Sequence, residues 1–125
     1  MSIEENKELA KKVLASGLDL VEFLAEDAEW VIPGFGTYRG KDEINSKLLA
    51  PTGGMIESMG SSVITNIVAE GDWVVVQSYA KDRKLKNGKE YNNTYCQVFK
   101  IVDGLVQHIT EYADTAYAKE VFAGG

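Results

Sequence analysis

The chain has 125 residues, 45% hydrophobic and 26% charged, the size and balance of one soluble globular domain covering residues 1-125. Thirteen basic and nineteen acidic side chains leave a net charge of −6. That charge excludes the basic footprint of a nucleic-acid binder and disfavours an anionic membrane surface. One cysteine, Cys96, and one histidine, His108, exclude an internal disulfide and a Cys/His zinc site, so no metal is expected.

The N-terminus, from Met1 to Lys7, is charged and lacks an apolar signal core. No stretch approaches the roughly 20 apolar residues of a membrane span, so a cytoplasmic protein is expected. Leu9, Ala10, Val13 and Leu14 recur at helical spacing and predict a first helix, with Gly17 as its C-cap. Leu20, Val21, Phe23 and Leu24 predict a second, short helix. Glu29 to Ile32 is rich in β-formers and stops at the turn signal Pro33-Gly34. A third helix is predicted from Glu43 to about Ala50, closed by Pro51.

Beyond Ser58 the pattern changes to strands. One is built on Val63, Ile64, Ile67 and Val68; the next runs from Trp73 to about Leu85 and turns at Asn87-Gly88. Glu90 to Val102 and Leu105 to about Ala113 predict two more. A last helix is predicted from Ala116 to about Phe122, followed by a short tail, Ala123-Gly124-Gly125. Helices first and a meander after them indicate an α+β fold, with helices on one face of an antiparallel sheet. Alternation puts Asn93, Tyr95, Gln97, Phe99 and Ile101 on one face of the third long strand, and Ile109, Glu111 and Ala113 on one face of the fourth. Trp73, Val75 and Tyr79 share a face of the second and would suit a buried dimer interface.

Three stretches carry a family resemblance: Trp30-Val31-Ile32-Pro33-Gly34, Arg39-Gly40-Lys41-Asp42-Glu43-Ile44, and Val98 to Val106 leading into Glu111-Tyr112-Ala113-Asp114-Thr115. In this order and spacing they resemble the SnoaL-like branch of the nuclear transport factor 2 superfamily, which also holds ketosteroid isomerases and limonene epoxide hydrolases. The resemblance implies a cone-shaped, curved sheet wrapped around the N-terminal helices. It also implies a deep apolar pocket for a small-molecule ligand and a homodimer formed through the sheet. It leaves open an isomerase, cyclase, hydratase or hydrolase, and equally a non-catalytic binding or dimerisation module.

The resemblance turns the Tyr95 and Glu111 faces toward the pocket. Glu111 is then the candidate proton carrier, with Tyr95 or Asn93 stabilising charge on a substrate oxygen. Trp30, Ile32, Tyr38, Met55, Met59, Gln97, Phe99 and Ile109 are candidate pocket walls, and Tyr79 a weaker one. Asp114 has two readings, a second acid at the pocket mouth or the N-cap of the last helix. Arg39 could hold a ligand carboxylate or pair with Asp42 or Glu43. His108 and Cys96 fall on the outer face. Lys81, Arg83, Lys84, Lys86 and Lys89 read as a solvated rim around a hairpin tip.

The departures from the family patterns are specific. Ketosteroid isomerase-like relatives carry their proton-transferring aspartate where this chain has Ile32. Limonene epoxide hydrolase-like relatives need an arginine and an aspartate where this chain has Ser78 and Ala80. No nucleotide-binding motif or histidine pair is present, so no cofactor is expected.

Overall fold

The computed structural model describes residues 2–123. Gly124 and Gly125 of the expected tail lie outside the described residues. Helix α1 (Ile3–Ala15) starts at a reciprocal capping box: the Ser2 hydroxyl accepts from Glu5 N, and the Glu5 carboxylate accepts from Ser2 N. Ala10 and Val13 bury its apolar face, and Gly17 follows the helix with φ +59°. That left-handed conformation suits glycine and ends the helix.

The predicted second helix is only one 3-10 turn, Val21–Phe23, and strand β1 (Leu24–Ile32) begins at once. A register shift between Leu24 and Glu29 breaks the alternation, so Leu24 and Ala25 are both buried. Those adjacent apolar residues produce the helix-like spacing. After Pro33-Gly34 the chain returns as β2 (Gly36–Arg39), a strand without a sequence expectation, paired with β1 from Glu29↔Arg39 to Ile32↔Gly36.

The third helix is longer than expected. Helix α2 (Lys41–Glu43), a π-helical segment (Ile44–Leu49) and helix α3 (Ala50–Met55) run on without interruption. Pro51 therefore does not close it. A proline ring meets the carbonyl four residues back in a regular α-helix. The wider π turn just before Pro51 relaxes that spacing.

Strands β3 (Ile56–Ser58), β4 (Ser61–Glu70), β5 (Trp73–Lys81), β6 (Lys84–Leu85), β7 (Thr94–Val102) and β8 (Leu105–Ala113) follow, then helix α4 (Thr115–Ala123). The main sheet has the order β2-β1-β8-β7-β5-β4, and β3 pairs separately with β6. The predicted meander β4-β5-β7-β8 is present and antiparallel. The exception to an all-antiparallel sheet is β1, which lies parallel to β8. Register shifts in β4 between Ile64 and Asn66, and in β7 between Lys100 and Ile101, add bends to the sheet.

The strand expected from Trp73 to Leu85 breaks at Asp82, which has φ +58°. Gly60 (φ +62°) crosses so closely here that a Cβ on it would collide with the Lys81 and Asp82 carbonyls. The next strand starts at Thr94 rather than Glu90, because residues 91–93 leave the regular ladder; Ala80 N still donates to Asn93 O at 2.9 Å. The Asn87-Gly88 turn has Gly88 alone in the left-handed region. Gly88 N donates to Leu85 O, and Leu85 N to Lys89 O. This is a type I turn closed by a glycine bulge, not a turn with both residues at positive φ.

Inner-face residues Val74, Val76, Phe99, Ile109 and Trp30 pack with Ala10, Val13, Leu20, Leu24 and Ile44 as the main core. A second cluster, Leu85, Tyr91, Ala118 and Val121, fixes α4 onto the β6 hairpin. The outer sheet face stays open, with Val68, Trp73, Tyr79 and Tyr112 exposed.

Candidate functional site

Between the concave sheet, α1, the α2–α3 rod and α4 lies a cavity of about 390 Å³. That volume suits a small organic ligand. The structure brings Trp30, Ile32, Tyr38, Met55, Met59, Tyr95, Gln97, Phe99, Ile109 and Glu111 into its lining. Their convergence follows from register. Phe99 pairs with Ile109, Gln97 with Glu111 and Tyr95 with Ala113, while Trp30 on β1 lies beside Ile109. All of these point to the concave side, stepping two residues at a time toward α4. Tyr79 is on the outer face instead, paired with Val63 and Thr94.

Among the described residues, Glu111 is the one carboxylate in the lining. The Gln97 amide donates to it, Nε2 to Oε1 at 2.6 Å. Burial pushes its pKa above the ordinary carboxylate range; the Gln97 hydrogen bond and the Arg83 charge oppose that shift. Gln97 Oε1 is buried without a donor among the described residues. If the amide turns over, that oxygen can accept from a protonated Glu111. Gln97 therefore serves both protonation states.

Burial also raises the Tyr95 hydroxyl well above its ordinary range, and nearby Tyr91 and Glu111 act in the same direction. Tyr95 thus stays a hydrogen-bond donor at neutral pH. Tyr91 lines the same end of the cavity and is shifted upward, mainly by burial.

Asn93 departs from its expected place. It lies outside the cavity lining, only 1% exposed, because the chain has left the ladder there. Its amide donates to Tyr91 Oη at 2.9 Å and to Asp114 O at 3.1 Å; its oxygen accepts from Thr94 N and Asp114 N. Asn93 ties the start of β7 to the end of β8. Asp114 is also outside the lining and caps α4, accepting from Tyr117 N at 3.0 Å. Arg39 pairs with Glu29 at 2.9 Å rather than with Asp42 or Glu43, although its backbone N–H donates to Glu43. His108 is on the outer face against Glu29 (3.3 Å) and Thr110 (2.7 Å).

Sequence reasoning misplaces Arg83. It lines the cavity and is 8% exposed, whereas Lys81, Lys84, Lys86 and Lys89 are exposed as expected. Continued alternation after Ala80 would point Arg83 outward. The left-handed residue Asp82 resets the direction. Arg83 Nε then donates to Met59 O at 2.9 Å, and Nη1 to Tyr95 Oη at 3.4 Å. The Gly60 crossing that accompanies this kink has no local sequence signal. The π segment contributes Lys47, Leu48 and Leu49 to the lining.

Among the described residues no group of three or more His, Cys, Asp or Glu side chains converges to hold a metal ion, and no helix is long and apolar enough to cross a membrane. A curved α+β cone around a half-open, largely apolar pocket defines the nuclear transport factor 2-like class of folds. The SnoaL-like domain family matches residues 17–109, and the chain belongs to that family. Comparison with curated proteins gives no match.

Solved structures are similar over nearly the whole chain. An NTF2-like protein from Burkholderia xenovorans LB400 is 28% identical, with 94% of this chain and 95% of that chain covered and a TM-score of 0.73. TerC, co-crystallised with polyporic acid, is 22% identical, with coverage of 95% and 98% and a TM-score of 0.77. A Catenulispora acidiphila protein of ketosteroid isomerase-like fold, in complex with trimethylamine, is 20% identical, with 84% of each chain covered and a TM-score of 0.72. The wider fold family includes isomerases and cyclases.

Proposed function

We propose that this protein is an acid–base enzyme acting on a small, largely apolar carbonyl- or epoxide-type molecule, with Glu111 as the proton carrier. The observation that carries this reading is the lone carboxyl in an apolar cavity, held by Gln97 at 2.6 Å with its pKa raised by burial. Such a carboxyl has a proton affinity closer to neutral pH, where it can both take and return a proton. For a carbonyl substrate, Glu111 takes a proton from the carbon beside the carbonyl. The Tyr95 hydroxyl donates to the oxygen where negative charge develops. Returning the proton to another atom gives isomerisation; attack of the enolate carbon on a second carbonyl, whose oxygen then takes the proton back from Glu111, gives cyclisation. Trp30, Ile32, Tyr38, Met55, Met59, Phe99 and Ile109 supply the apolar enclosure. Two similar proteins were crystallised with small organic molecules, which supports a ligand of that size here. The exposed Val68, Trp73, Tyr79 and Tyr112 support a homodimer through the sheet, to be checked by sedimentation mass.

The test does not depend on the natural substrate. Aryl ketones such as 2-tetralone and phenylacetone are incubated with the protein in D₂O, and deuterium uptake beside the carbonyl is followed by proton NMR. Uptake faster than buffer alone, lost in Glu111→Gln, is the expected result. No acceleration, or equal acceleration by the variant, overturns the catalytic reading and leaves a ligand-binding module of the same fold.

A further inference from the structure

Arg83 raises a question that proton transfer at Glu111 does not answer. A guanidinium stays charged in any protein environment, and burying it is costly without an anionic partner. Arg83 is more than nine-tenths buried, yet no carboxylate of the described residues lies within salt-bridge distance. Arg83 also borders the neighbouring groove, whose carboxylates are Asp19 and Glu57; neither pairs with it, and Glu57 pairs with Lys84 at 3.9 Å instead. The two acceptors of the Arg83 side chain, Met59 O and Tyr95 Oη, are both uncharged. They engage two of its five N–H groups.

The lining as a whole has the same sign. In a chain of net charge −6, the cavity's charged residues are Lys47, Arg83 and Glu111. Lys47 stands on the rim, paired with Glu43 at 3.2 Å. Glu111 does not compensate Arg83 by contact, and burial favours its uncharged form. A buried guanidinium with only neutral partners calls for an anionic ligand oxygen.

We infer that the ligand of this cavity is a small apolar organic acid whose carboxylate docks on Arg83 beside Tyr95, with its apolar body along Trp30, Phe99 and Ile109. This rests on the small-molecule reading above and adds the substrate class. The carboxylate replaces the water of an otherwise unpaired guanidinium, and charge-assisted geometry favours two N–H donors to two oxygens. It also orients the molecule. Along β7 and β8 the Tyr95 level and the Gln97–Glu111 level are adjacent on one face. A group held at Arg83 therefore presents the neighbouring carbons to Glu111, about 7 Å further in.

The experiment compares matched acids and amides by isothermal titration calorimetry on the full chain. The pairs are phenylacetate and phenylacetamide, 2-naphthoate and 2-naphthamide, and decanoate and decanamide. At least one acid is expected to bind about tenfold or more tightly than its amide, the effect of one charge-assisted hydrogen bond. Arg83→Gln should erase that preference while amide binding survives, and Arg83→Lys should keep part of it. Should Arg83→Gln fail to fold, the wild-type and Arg83→Lys comparisons still decide. Glu111→Gln should retain the acid preference while losing deuterium exchange, which separates this inference from the catalytic one. Equal affinities within every pair, or an acid preference unchanged in Arg83→Gln, overturn the inference and leave the small-molecule reading standing. Binding of no member of any pair overturns both.

Discussion

Replacing Gly60 by alanine tests the physical reason for the inward turn of Arg83. Gly60 has φ +62°, and a Cβ there would run into the Lys81 carbonyl and the Asp82 backbone, the segment that redirects Arg83. Gly71 provides the control, with nearly the same φ, +57°, and nothing within 4 Å of where a Cβ would stand. At Gly71 the cost is the left-handed conformation alone, about 1–2 kcal/mol. At Gly60 the backbone must also move apart, which adds about 1–3 kcal/mol on the scale of overpacked sites. Urea denaturation followed by tryptophan fluorescence reads both values in a small domain. Gly60→Ala should therefore be the more destabilising by about 1–3 kcal/mol, and it should weaken the acid-over-amide preference of the cavity. Equal destabilisation by the two variants would refute the close crossing as the cause of the kink.

Two further outcomes follow from the site. Glu111 has its folded pKa raised above the ordinary value of 4.5, so its contribution to stability is complete below that pH and is lost as pH rises through the folded pKa. Glu111→Gln should therefore gain stability relative to wild type as the pH rises above the ordinary carboxylate value of 4.5, read as urea midpoints; a constant difference would contradict the burial. Asn93→Ala should destabilise by about 2–4 kcal/mol, because it strips partners from Tyr91, Thr94 and Asp114 in a buried position. Its folded fraction should keep deuterium exchange, whereas specific loss of exchange would return Asn93 to the chemistry.

How far the site can be read from the chain depends on whether each residue sits in regular structure. Tyr95, Gln97, Phe99, Ile109 and Glu111 are legible because β7 and β8 alternate without interruption between residues 95 and 99 and between 109 and 113. The α1 start is equally local, since Ser2 and Glu5 have the spacing of a capping box. Misreadings cluster where the backbone leaves its period. Leu24 and Ala25 sit at a register shift, Pro51 follows a π turn, Arg83 follows a left-handed residue, and Asn93 precedes its strand.

The α+β class, the strand meander and the grouping of Glu111 with Ile109 and Ala113 on one strand face are written into the chain itself. Those are consequences of a period of two and of turn residues acting over a few positions. Which way that face turns came from the family resemblance. Only the tertiary structure decided that β1 joins β8 in parallel, that Asn93 is a tie between strands, and that Arg83 enters the cavity. The pairing of β1 with β8 joins residues about eighty positions apart, and Gly60 meets Lys81 some twenty positions away. Such contacts form between segments that carry no local signal for one another, and they set the charge of the pocket.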